Sequence, residues 1–294
     1  MLRRYVWLRE YFHYLSRMGS RHPFTFLKDF ASWNLYSFLP GRTRGSFSPS
    51  VLRSQDLAQA VKTFYRDGLV VLSDALTPEE AESLREVVKR KADGIVKAEE
   101  QGLIAPEFRH GEKRYSFGDY GHSSEWEYLA HNERVLAVVK AIWKGQTFRA
   151  VAAGGDFVLP GGTWQALHND MCWNAAGEKL PRVITVNYYV SHVLPSSGPL
   201  RHVPGTARFP APSPVVNRNE PSWMKRSIVT GAPGYAIIRD PRAWHGGTPN
   251  TSCEPRYMPN LEYVLRDAPI EEVGGSCNVD QLSRGKWIAE FASS

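Results

Sequence analysis

From Ser54 onward apolar residues recur at helical spacing. Leu57, Ala60, Val61, Phe64 and Tyr65 fall on one face, and Asp67-Gly68 stops the run. Leu69-Val70-Val71-Leu72 then forms an unbroken apolar block, which predicts a short buried strand. Thr77-Pro78-Glu79-Glu80 combines an N-cap hydroxyl, proline at the first helical position and a glutamate three residues after the cap. It launches a second helix with the stripe Leu84, Val87, Val88, Ala92 and Ile95, and a third is predicted from Asn132 to about Trp143. Beyond residue 146 the period shortens to strands punctuated by Gly and Pro: Asp156 to Leu159, Val183 to Val190, Tyr235 to Ile238 and Met258 to Leu265. Helices first and short strands afterwards predict an α+β chain built on an antiparallel barrel or jelly roll.

Composition changes this picture little. The 294 residues are 42% hydrophobic and 22% charged, which excludes a disordered tail or a disulfide miniprotein. Charge changes it more, because the net +6 is local. Residues 1–53 hold nine Lys/Arg against two acids, and the remainder 27 against 28. A domain-wide cationic face for nucleic acid is therefore not expected. The first segment alternates basic and aromatic residues (Arg3, Arg4, Tyr5, Trp7, Arg9, Tyr11), and residues 40–50 are rich in Gly, Ser, Pro and Arg. We divide the chain into a basic aromatic extension and linker, 1–53, and a main domain, 54–294. The extension reads as packing on the domain, as a transit peptide or as a membrane-surface helix. Cys172, Cys253 and Cys277 are too few for a disulfide framework, and no apolar run reaches the length of a membrane span. A cytoplasmic protein without a transmembrane segment is expected, with import or peripheral membrane association through residues 1–50 left open, and a homodimer left open too.

Chemistry gathers in the strand region. In Gln165-Ala166-Leu167-His168-Asn169-Asp170 an imidazole and a carboxylate stand two residues apart, so on a strand both face one side. A second imidazole, His245, follows the strand Tyr235 to Ile238 within Trp244-His245-Gly246-Gly247. Two His and one carboxylate with open positions suit non-haem Fe(II), whereas zinc more often closes its site. Arg256 is expected to project into the same interior. Glu262 is the only acid in its strand, and a dicarboxylate co-substrate would satisfy the guanidinium.

These residues resemble the phytanoyl-CoA dioxygenase family of Fe(II)/2-oxoglutarate oxygenases over roughly residues 54–266. The opening is Asp67-Gly68-Leu69-Val70-Val71-Leu72 followed by Leu76-Thr77-Pro78-Glu79-Glu80, and the core is His168-Asn169-Asp170, Pro204-Gly205-Thr206, His245 and Arg256. The resemblance implies a double-stranded β-helix (jelly roll, cupin-like) core with N-terminal helices packed on it. It also implies Fe(II) held by His168, Asp170 and His245, 2-oxoglutarate anchored through Arg256, and O2 as the oxidant. Gln165 and Thr206 match co-substrate-contacting positions in natural-product members. The implied reaction hydroxylates, desaturates or cyclises a C–H position of a small-molecule metabolite, releasing succinate and CO2. Asp170 argues against a halogenase, which vacates that position. Two departures stand out: Gly247 replaces a frequent hydroxyl, which Thr248 would have to supply, and Ala207 replaces a frequent His.

Blander readings stand beside these. Trp164, Trp173, Tyr188, Tyr189, Trp244 and Tyr257 could wall an aromatic substrate pocket, although core packing is the simpler role for most. Cys172 could be a fourth ligand, but a thiolate would change the metal class. Arg182, Arg201 and Arg239 could recognise an acidic substrate, yet arginines near strand ends are usually solvated. The rival function is a non-oxidative cupin-like metal-binding or isomerising protein. A nucleic-acid demethylase is opposed by the near-neutral charge after residue 53.

Overall fold

The structure, a computed structural model, describes residues 49–103, 111–117, 124–170, 180–208, 220, 222–266 and 288–292. The expectations for residues 1–48, Cys172, Trp173 and Cys277 fall outside them. The first helix, α1, spans Leu57–Asp67 rather than starting at Ser54. Ser54 instead bonds Asp74 through its backbone N–H and its hydroxyl. The helix ends at Gly68, whose φ of +81° makes the left-handed cap and whose N–H returns to Phe64 O at 2.7 Å. In the second helix, α2 (Pro78–Glu100), Thr77 Oγ1 accepts from Glu80 N at 3.2 Å, while Glu80 Oε2 accepts from Thr77 N at 2.7 Å. A 3-10 segment, Ser124–His131, leads to α3 (Glu133–Ile142), which Asn132 caps by accepting from Val135 N. A four-residue helix, α4, spans Ser222–Lys225.

Eight strands form one mixed sheet. These are β1 (Val51–Leu52), β2 (Leu69–Leu72), β3 (Arg114–Ser116), β4 (Phe148–Val158), β5 (Val183–Tyr188), β8 (Ala236–Arg239), β10 (Arg256–Leu265) and β11 (Ala289–Phe291). Their order is β1-β2-β8-β5-β10-β4-β11, with β3 also on β4; β1 and β2 are parallel and the other pairs antiparallel. A second sheet holds β6 (Leu200–His202), β7 (Ile228–Val229) and β9 (His245–Gly247), in the order β7-β6-β9. β4 is longer than its sequence signal. It carries an irregularity opposite Glu262/Tyr263, and at Gly155, with φ +114°, a Cβ would collide with Met258 O.

β2 is buried on both faces, which explains why it is uniformly apolar rather than alternating. Val70, Leu72, Val186, Tyr188, Ile238, Leu261 and Tyr263 join the core that also holds Phe64, Leu84, Val88, Val135, Val139 and Trp143 from the three longer helices and their flank. Leu69, Val71 and Ile237 point the other way. There they meet Tyr189, Val193, Leu200, Val229 and Met258 in a second cluster that includes residues of the small sheet. The remaining interior face of the large sheet, toward β4 and β10, is polar and lines a cavity.

Candidate active site

His168 does not lie on a regular strand, as the sequence suggested. It lies in the loop after β4 and makes an isolated bridge to the start of β9, with His168 N donating to His245 O and His245 N to His168 O, both at 2.9 Å. Asp170 is tied down separately, its N–H donating to Pro241 O at 2.9 Å. The three side chains still meet: ligating atoms of His168, Asp170 and His245 lie within 4.8 Å of one another.

Backbone carbonyls fix both imidazoles. His168 Nδ1 lies 2.9 Å from Ala166 O, and His245 Nδ1 lies 2.8 Å from Ala243 O. A carbonyl only accepts, so each Nδ1 carries the proton and each Nε2 presents a bare lone pair. Those lone pairs face the carboxylate: His168 Nε2 is 3.5 Å from Asp170 Oδ1, and His245 Nε2 is 3.1 Å from Asp170 Oδ2. Burial pushes His245 down to about 4, against the pull of Asp170, so it is neutral at ordinary pH. Burial alone would raise Asp170, but the positive surroundings, to which the Arg239 guanidinium contributes a permanent charge at 2.9 Å, hold it well below the usual carboxylate range. Acceptors therefore converge on acceptors, an arrangement that fits a divalent cation held by two nitrogens and one oxygen.

Arg239 was expected in solvent, yet it is buried here. Nη2 donates to Asp170 Oδ2 at 2.9 Å, Nε donates to Asn187 Oδ1 at 3.0 Å, and Nη1 lies 3.3 Å from His245 Nε2. Arg201 is buried as well. Its Nη1 pairs with Glu220 at 2.9 Å, its Nη2 donates to Gln165 O, and its guanidinium lies 4.9 Å from the centre of the half-exposed Trp164 ring.

Arg256 reaches the same cavity as the histidines, together with Gln165, Gly247 and Asp156. The acid beside it is not Glu262 of its own strand. Asp156 on β4 accepts from Nη1 at 3.0 Å and Nη2 at 3.4 Å, while Nε donates to Gly198 O. Sequence reasoning missed Arg114 on β3, a residue 1% exposed. Its Nε donates to Thr163 O at 2.7 Å and its Nη2 to Thr248 O, and its Nη1 has no partner among the described residues. That guanidinium fills the space a side chain at position 247 would need, since a Cβ on Gly247 would collide with Arg114 Nη1. Burial lowers Arg114 to about 10, Arg256 adds to the shift, and Asp156 opposes it. No three-residue strand signal could have revealed this.

Gln165 reaches the cavity, and its Oε1 accepts from Gly247 N at 2.9 Å. Thr206 does not reach it. That hydroxyl donates to Val203 O at 2.6 Å and accepts from Trp244 N at 2.8 Å, wholly buried. Nor does Thr248 replace the missing hydroxyl, because its proton goes to Pro199 O at 2.7 Å. Of the aromatics named from the sequence and described here, all but the half-exposed Trp164 are buried. Tyr188 and Tyr257 join the helix-side cluster and Tyr189 the second cluster, and no described aromatic lines the cavity.

No curated protein sequence matches the chain. Among solved structures, HygX from Streptomyces hygroscopicus with nickel and 2-oxoglutarate bound is 16% identical, with TM-score 0.53 over 71% of this chain and 87% of that one. SnoK, a non-heme α-ketoglutarate-dependent carbocyclase from nogalamycin biosynthesis, is 16% identical, with TM-score 0.59 over 83% and 97%. AviO1 from Streptomyces viridochromogenes Tue57 is 20% identical, with TM-score 0.51 over 73% and 97%. These likenesses concern the fold. The family model for phytanoyl-CoA dioxygenase (PhyH) matches residues 64–258, well over half the chain, from within α1 into β10 and across every residue of the cluster just described. With two histidines and an aspartate converging inside that span, the chain belongs to the phytanoyl-CoA dioxygenase family, which uses Fe(II), 2-oxoglutarate and O2.

Proposed function

We propose that the protein is an Fe(II)- and 2-oxoglutarate-dependent dioxygenase that hydroxylates, desaturates or cyclises a C–H position of a small-molecule metabolite. The carrying observation is the convergence of two imidazole Nε2 atoms, each with its tautomer fixed by a carbonyl, on one carboxylate. His168, Asp170 and His245 hold the iron in this reading. Bound there, Fe(II) with 2-oxoglutarate and O2 supplies C–H oxidation, releasing succinate and CO2. The two sheets, the smaller of which carries His245, are read as the halves of a double-stranded β-helix.

The chain's own residues orient the co-substrate. Two buried guanidinium groups, Arg256 and Arg114, stand near one carboxylate, Asp156, and this excess of positive charge suits the distal carboxylate of 2-oxoglutarate. A non-oxidative cupin-like protein has no use for that excess. Gln165 braces Gly247 through Oε1 and leaves its amide N–H groups for the cavity. Arg239 holds Oδ2 of Asp170, and Oδ1 faces His168.

Anaerobic titration of 2-oxoglutarate into the Fe(II)-loaded protein tests this reading. A visible chelate absorption band should appear, and Arg256→Ala should weaken 2-oxoglutarate far more than Fe(II), by about 1.5–3 kcal/mol for a charge-assisted contact. Iron binding without any band would overturn the assignment.

A further inference from the structure

Once the residues assigned to metal and co-substrate are set aside, the cavity wall that remains is contributed chiefly by β8, β5 and β10, and it is polar. Asn187 stands opposite Asn260, which stands opposite Gly154 on β4. In the neighbouring row Thr185 lies between Arg239 and Glu262. Arg239, Asn187, Asn260 and Glu262 all line the cavity.

Much of this hydrogen-bonding capacity is unspent within the described structure. Behind the lining, Thr185 is wholly buried and its hydroxyl has no partner among the described residues. Asn187 is 2% exposed; its carbonyl oxygen accepts from Arg239, and no described residue takes its amide N–H groups. The Asn260 carboxamide bonds to no described residue, and Gly154 beside it leaves room over the amide, since a Cβ there would stand 3.6 Å from Asn260 Oδ1. Buried polar groups without partners are costly, and those that line the cavity stand where a ligand can complete them. The opposite faces of the same strands carry Val186, Tyr188, Leu261 and Tyr263, so these strands take apolar residues readily where packing alone decides. The polar choice is confined to the cavity side, where the apolar share is Leu200 and Met258.

From this wall we infer that the substrate is a polyhydroxylated small molecule, a sugar or cyclitol, rather than an acyl chain or a flat aromatic. Carboxamides both donate and accept, as hydroxyls do, and two carboxamides side by side on one sheet face suit a ring bearing several hydroxyls. An acyl chain would cover the Asn187 and Asn260 carboxamides, which line the cavity, without satisfying them. The inference rests on the oxygenase reading, because it assigns the rest of the cavity to metal and 2-oxoglutarate.

Calorimetric titration of the full-length protein loaded with Mn(II) and 2-oxoglutarate tests it. The probes are a panel of mono-, di- and trisaccharides and cyclitols, palmitoyl-CoA, and a hydroxyanthraquinone. At least one polyhydroxylated compound should bind saturably and the other two probes should not. Asn260→Leu should weaken that binding tenfold or more, while 2-oxoglutarate affinity stays within threefold and the thermal midpoint does not fall. Asn260→Ser, which keeps a polar group and is better tolerated if the leucine disturbs folding, should weaken it less. Binding of palmitoyl-CoA or the anthraquinone with no polyhydroxylated binder, binding of none of the probes, or unchanged sugar binding in Asn260→Leu would overturn the proposal. Failure of wild-type protein to bind 2-oxoglutarate at all would sink the oxygenase reading first, and the proposal with it.

Discussion

Gly247 and Arg114 form a unit that neither residue reveals alone. A guanidinium end usually swings away from an intruding Cβ, but Arg114 is pinned on either side by Thr163 O and Thr248 O. Gly247→Ser should therefore destabilise the protein by about 1–3 kcal/mol, the usual cost of overpacking a filled site. Arg114→Ala in the same chain should recover part of that loss, and thermal unfolding of both single variants and the double variant measures the coupling. Additive effects would mean the two groups do not compete for space. His202 offers a second prediction. Buried opposite His245 with Nε2 against Asp67 O, it is pushed down to about 3 by burial, with His245 and Arg239 adding to the shift. The folded protein then binds fewer protons than the unfolded chain between about 3 and 6.5, so stability is complete above 6.5 and is lost as pH falls. Going from pH 7 to 5 should remove about 2 kcal/mol through this residue. With metal chelated, His202→Gln should flatten the pH dependence of the unfolding midpoint over that range. The ligand cluster was legible because His-x-Asp and a distant His form a pattern. Arg114, Arg239 and Asp156 were not, because their roles exist only through cross-strand neighbours.

At the scale of elements, the helices were readable where local chemistry decides them. The Thr77 to Glu80 capping box, the Asn132 cap and the Gly68 stop all act within a few residues, so sequence spacing carries them. Thr77→Ala should cost about 1 kcal/mol, as typical cap losses do, and circular dichroism during thermal unfolding would show it. A change of under a few tenths would mean that tertiary packing alone holds the start of α2. Strands were readable only where apolar runs mark them. β2 and β10 stand close to their expected bounds, but β3, β6 and β9 are three residues each and exist through pairing, β6 between β7 and β9. His168 makes the same point. The strand placement expected for His-x-Asp is replaced by a single bridge to His245, which aligns the imidazoles without a regular ladder.

For the whole molecule, the boundary between the basic extension and the main domain is the expectation with the widest consequence. Charge and composition divide the chain at residue 53, yet Val51 and Leu52 pair in parallel with Val71 and Leu72, and Ser73 N donates to Leu52 O at 2.9 Å. These residues cover the free edge of β2, whose exposure would leave backbone donors and acceptors unpaired. A chain beginning at Ser46 keeps that strand, and it should bind Mn(II) and 2-oxoglutarate as the full chain does. One beginning at Ser54 loses it and should unfold at a lower temperature, while its metal and co-substrate affinities, set by residues on β4, β9, β10 and the loop after β4, change little where it remains folded. Binding isotherms and thermal midpoints for the two truncations separate the cases. If the Ser46 form folds but no longer binds 2-oxoglutarate, residues 1–45 take part in the catalytic unit and the division by charge is in the wrong place.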